Sequence, residues 1–174
     1  NSPIRTYLAR YGAPPFGSMV STNASPSTLI NYGNVEWIDF HQIGNDPREH
    51  VSYWYLKQQY ANEPTKPALN GEPYTPGFPP STKIDMFGEE AAANCRAGMY
   101  GSVLSGGLAG YVHELQAMYD GARSPKAVFK MWDAFKLKTA DQAAHLKDFV
   151  MSLSGRHAEL VPDEECLVPS KSGP

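Results

Sequence analysis

The run Lys66-Pro67-Ala68-Leu69-Asn70 is short and apolar at its centre, and it stops at Gly71-Glu72-Pro73-Tyr74, where one carboxylate stands between a glycine and a proline. Pro73 cannot donate to a ladder, so a strand here ends before it and hands Glu72 to the rim of the sheet. A single acid fixed at a strand terminus is a candidate for chemistry, and Glu72 is the lead catalytic residue. The rest of the chain has to supply a sheet whose strand ends gather around it.

Segments on either side alternate in character. Ile4 to Tyr11 is spaced as a helix, Pro14-Pro15 breaks it, and Phe16 to Ser21 reads as a short strand. Thr22 to Asn34 is rich in Asn, Ser, Thr and Pro, which is turn chemistry. Val35 to Ile43 reads as a second strand, with Trp37, Asp39, His41 and Ile43 on one face and Glu36, Ile38, Phe40 and Gln42 on the other. Arg48 to Tyr60 is a helix, and Pro64 stops it before the strand that ends at Glu72. Pro73 to Pro80 holds too much proline to pair centrally and is a candidate cleft wall. Glu89 to Leu104 carries Ala92, Cys95, Met99 and Val103 along one helical stripe, which Ser105-Gly106-Gly107 should end. Leu108 to Val112 is a further strand that delivers His113 and Glu114 to its C-terminal end. Lys126 to Phe135 and Thr139 to Leu153 are the last helices, the second opened by a Thr139/Gln142 capping pair.

Strands that alternate with helices imply a parallel sheet. About four strands are half of a (β/α)8 barrel, in which catalytic residues sit at the strand C-termini. Half a barrel does not close. Either a missing segment or a partner chain supplies the remaining strands, or the sheet is a smaller open one.

Composition narrows the function classes. The 174 residues carry a formal net charge of -3 with Lys and Arg scattered, so no basic footprint for nucleic acid or an anionic membrane is present. No apolar run is long enough to predict a membrane span, and Asn1 to Arg10 lacks the apolar centre of a signal peptide. The absence of an initiator Met suggests a processed or partial chain. Ten Tyr, seven Phe and three Trp, many beside polar residues, suit either sugar-binding surfaces or ordinary packing. Cys95 and Cys166 could form one disulfide, but two isolated thiols are more often buried small hydrophobes. The histidines show no zinc spacing, Ser105 to Gly110 lacks the Lys and hydroxyl of a phosphate loop, and no serine elbow occurs. No metal or cofactor is expected.

Tyr7-Leu8-Ala9-Arg10-Tyr11-Gly12, then Trp37-Ile38-Asp39-Phe40-His41, then Lys66 to Pro73 form an ordered series. It resembles the C-terminal half of the apiosidase-like bacterial glycoside hydrolases, (β/α)8 enzymes acting on plant or microbial polysaccharide side chains. Arg96 to Gly110, Asp141-Gln142 to Leu153, and Leu160-Val161-Pro162-Asp163 are similar to its later elements. The resemblance implies that residues 1–160 are the C-terminal half of a TIM-type barrel, strands four to eight, with 161–174 an exit segment or linker. It implies a carbohydrate substrate, an extracellular or periplasmic setting, and Glu72 as nucleophile or its partner.

Glycoside hydrolysis uses two carboxylates, about 5 Å apart in retaining enzymes and further apart in inverting ones. The family's acidic strand end corresponds here to Asn23, and an amide cannot protonate a leaving alkoxide. Glu36, Asp39 and Glu114 are the local alternatives. Asn23, Asp39, His41, Tyr74, His113 and Glu114 are the expected sugar contacts. The competing expectation is a non-catalytic carbohydrate-binding or structural subunit that kept the fold.

Overall fold

Three parallel strands organise the described residues. A computed structural model describes residues 3–12, 14–44, 54–77, 84–85, 87–115 and 131–163. In chain order these form α1 (Pro3–Tyr11), α2 (Thr28–Tyr32), β1 (His41–Ile43), α3 (Trp54–Tyr60), β2 (Ala68–Asn70), α4 (Glu89–Leu104), β3 (Gly110–Tyr111), α5 (Met131–Ala134) and α6 (Lys138–Ser152). The strands make one parallel sheet in the order β1-β2-β3, with His41 opposite Ala68, Ile43 opposite Asn70, and Asn70 opposite Tyr111. Helices α3 and α4 therefore sit in the two crossovers, as parallel pairing requires.

One face of the sheet is packed. Ile43 and Ala68 are fully buried against Leu56 of α3. Beyond β2, the stripe Cys95, Met99 and Val103 of α4 meets Tyr74 and Leu146 of α6. That stripe is the one expected from helical spacing, Ala92 included. The alternate strand positions, Gln42 and Leu69, are only half-buried and belong to none of the described core clusters. Alternation thus separates a helix-covered face from an open one.

Several expected elements change. The strand expected over Val35 to Ile43 is reduced to His41–Ile43. Val35 to Ile38 instead closes a turn through Ile38 N–H to Val35 O at 3.2 Å. The Lys66 ammonium fixes that turn by donating to the Val35 and Ile38 carbonyls at 2.7 Å each. Phe16 to Ser21 opens with a tight turn over Pro15–Gly17 and then extends without a full ladder. The Val20 N–H donates to the Asp39 carboxylate at 2.6 Å. The polar stretch after it holds the short helix α2, whose Ser27 hydroxyl accepts from Ile30 N–H at 3.3 Å.

The expected Thr139/Gln142 cap is not formed. Helix α6 begins one residue earlier, Leu137 is its uncapped N-terminal residue, and Thr139 is buried inside the first turn. With its amide oriented to satisfy both partners, Gln142 donates to Ala92 O at 3.1 Å and accepts from Arg96 at 2.6 Å. Of the helices expected over Arg48 to Tyr60 and Lys126 to Phe135, Trp54–Tyr60 and Met131–Ala134 are described and helical; the remainder lies outside the described residues. His50, Cys166, 78–80 and the tail beyond Asp163 also lie outside them. No described helix is long and apolar enough to cross a membrane.

Candidate active site

Chain direction decides where the candidate residues gather. The segment ending at Ala24 runs parallel to β1, since Asp39 N–H donates to Val20 O at 2.8 Å and Gly44 N–H donates to Ala24 O at 3.1 Å. Asn23, Gly44, Gly71-Glu72 and the residues after Tyr111 therefore stand at the same, C-terminal end of the strands.

Asn23 and Glu72 meet there. The Asn23 amide Nδ2 donates to Glu72 Oε2 at 3.3 Å, joining residues 49 apart in sequence. Asn23 is exposed and Glu72 half-buried, so one carboxylate oxygen is held and the group still faces solvent. Two glycines make the arrangement possible. A Cβ on Gly44 would collide with Asn23 Oδ1 and the Ala24 backbone. A Cβ on Gly71 would come within 2.5 Å of Gln42 Oε1. The chain thus passes beneath two amide side chains at the position where Glu72 emerges.

Glu114 is the other sequence-expected carboxylate at this end. It accepts from the Thr75 hydroxyl at 3.3 Å, and Thr75 is itself fully buried. Asp39 and Glu36 precede β1 and so lie toward the opposite end of the strands. Asp39 is engaged there by Val20 N–H.

The remaining three candidates fall on the helix-covered side. His41 is fully buried and shares its face with Ile43 and Ala68. Burial, and secondarily the charge of Lys66, lowers its pKa below the ordinary imidazole value. His113 lines a cavity with Met99, Val103, Ala143 and Leu146, between α4 and α6, and burial lowers its pKa as well. Tyr74 is 1% exposed within the core of α4 and α6. Burial raises its pKa, partly offset by the Asn94 side chain. His41 and Tyr74 are thus buried, and His113 lines a cavity between two helices.

Cys95 is a buried free thiol whose pKa burial pushes up to about 12. Among the described residues, no group of three His, Cys, Asp or Glu is placed to share a metal ion.

Sequence inspection passed over Gln42, Thr28 and Gln59. Gln42 N–H donates to Thr28 Oγ1 at 3.0 Å, and Gln42 O accepts from Gln59 Nε2 at 3.1 Å. The Thr28 hydroxyl also lies 2.8 Å from Thr22 O, next to Asn23. The available signal was alternation, which set Gln42 on the opposite face from His41.

The chain matches the family model described as apiosidase-like, catalytic domain, over residues 15–155. Among solved structures it is similar to a protein described as a glycoside hydrolase, 18% identical with a TM-score of 0.56, over 72% of this chain and 33% of that one. It is also similar to a glycoside hydrolase family 5 protein from Bacteroides vulgatus ATCC 8482, 16% identical with a TM-score of 0.56, over 71% of this chain and 32% of that one. At such identities the likeness concerns the fold, a partial TIM-barrel-like α/β arrangement into which the three-stranded parallel sheet fits. The chain spans about a third of the length of these structures. No curated protein matches it. Because the family match takes in Asn23, Gly44, Gly71 and Glu72 together with every strand of the sheet, the chain belongs to the apiosidase-like catalytic-domain family.

Proposed function

We propose that the protein is a glycosidase that removes side chains from polysaccharides or oligosaccharides, with Glu72 as its nucleophile. The observation that carries this reading is the 3.3 Å bond from Asn23 to Glu72 at the C-terminal strand ends. An amide holds Oε2 and, among the described residues, leaves Oε1 without a hydrogen bond, as attack on an anomeric carbon requires. Strand C-termini are where barrel enzymes place their chemistry.

In this proposal the second carboxylate lies outside the described residues. Asn23 has no acidic proton to give, and Glu114 accepts from Thr75 at this end of the strands. In the same proposal this chain is the C-terminal half of the barrel.

Incubation of the intact protein with chromogenic aryl glycosides and branched polysaccharides, followed by NMR of the released sugar, tests this. Release with retained anomeric configuration is expected, and Glu114→Gln should keep activity within about tenfold of wild type. Inversion would recast Glu72 as a general base. Binding without release would favour a carbohydrate-binding protein.

A further inference from the structure

Gln42 is held in an unusual way. Its backbone is fixed on both sides by side chains that are themselves fully buried, Thr28 at N–H and Gln59 at the carbonyl. Its own amide, by contrast, makes no hydrogen bond among the described residues and stands over Gly71, next to Glu72. Burying two polar side chains to position one strand residue, while leaving that residue's amide unpaired, is the pattern of a supported group awaiting a ligand.

The direction of the side chain agrees. Ile43 and His41 point to the helices, so Gln42 projects from the open face that also carries Leu69. Gly71 lacks the Cβ that would come within 2.5 Å of Gln42 Oε1. Asn23 bonds the Glu72 carboxylate, and Gln42 Oε1 stands beside the preceding residue, Gly71; the two amides differ in engagement. Asn23 gives an N–H to the carboxylate, whereas the Gln42 amide makes no hydrogen bond among the described residues.

We infer that Gln42 is a specificity-determining residue: its side-chain amide hydrogen-bonds a hydroxyl of the sugar ring held at Glu72. The inference rests on the glycosidase reading and adds to it the group that selects the sugar. A vicinal diol or a single ring hydroxyl is the ligand chemistry that a free amide fits, offering one donor and one acceptor to a group that is both. A site built around such a contact discriminates against analogues lacking the hydroxyl.

The test compares wild type and Gln42→Leu in the intact protein on the aryl glycoside that wild type cleaves and on its monodeoxy series. Because the Thr28 and Gln59 bonds use only the backbone of residue 42, Gln42→Leu should fold with an unchanged melting temperature. A loss in kcat/KM of about 3- to 10-fold is expected on the parent glycoside, and no loss on the one deoxy analogue that lacks the contacted hydroxyl. Equal losses on parent and every analogue, or no loss on any, would overturn the assignment of Gln42 while leaving Glu72 as proposed. No turnover of any glycoside by wild type would overturn both.

Discussion

Glu72 is bonded to a partner 49 residues away, and the bond is a 3.3 Å polar link at the edge of solvent. A hydrogen bond to a charged group contributes about 1.5–3 kcal/mol, which corresponds to roughly 10- to 100-fold in rate if it orients the reacting carboxylate. Asn23→Ala should therefore lower kcat by about that factor with a smaller change in KM, measured by steady-state kinetics on the cleaved glycoside. An unchanged kcat would mean that the amide merely rests against the acid. Gly44 belongs to the same argument, since any side chain there would displace Asn23.

At the scale of elements, the five-residue helix α2 does more than bridge the segment ending at Asn23 and β1. Thr28, buried in its first turn, links Thr22 to Gln42 and so fixes the two amides relative to one another. Thr28→Val leaves buried backbone groups unpaired; it should cost about 1–3 kcal/mol in urea unfolding and reduce activity together with stability. Retention of both would remove Thr28 from the account. The helix α4 was legible in the sequence because its burial stripe follows the helical period. The shortening of the expected strand over Val35 to Ile43 was not, because it depends on Lys66, which arrives from another element. Period-two alternation likewise set His41 against Gln42 without revealing which face the helices cover. Glu72 could be singled out from its Gly-Glu-Pro setting, but its pairing with Asn23 is a contact of tertiary structure. Tyr74 read as a sugar contact from its neighbours, and only the packing of α4 on α6 shows it to be core.

The described residues are asymmetric: one face of the sheet is closed by helices, and the other carries Gln42 and Leu69 half-buried. Two imidazoles, His41 and His113, are held on the closed side with pKa values lowered by burial. Between their folded values and the unfolded value near 6.5, the unfolded chain binds more protons, so stability is full above that value and falls as pH drops below it. The urea midpoint should accordingly fall between about pH 7.5 and 5.5, and His113→Gln should reduce that fall. A midpoint independent of pH over this range would contradict neutral burial of both rings. The central claim, that Glu72 at the C-terminal rim performs the chemistry, is tested most directly by the turnover of Glu72→Gln beside wild type at matched melting temperature. The account predicts a loss of about 100- to 10,000-fold in kcat with sugar binding retained. Turnover within a few-fold of wild type would contradict it.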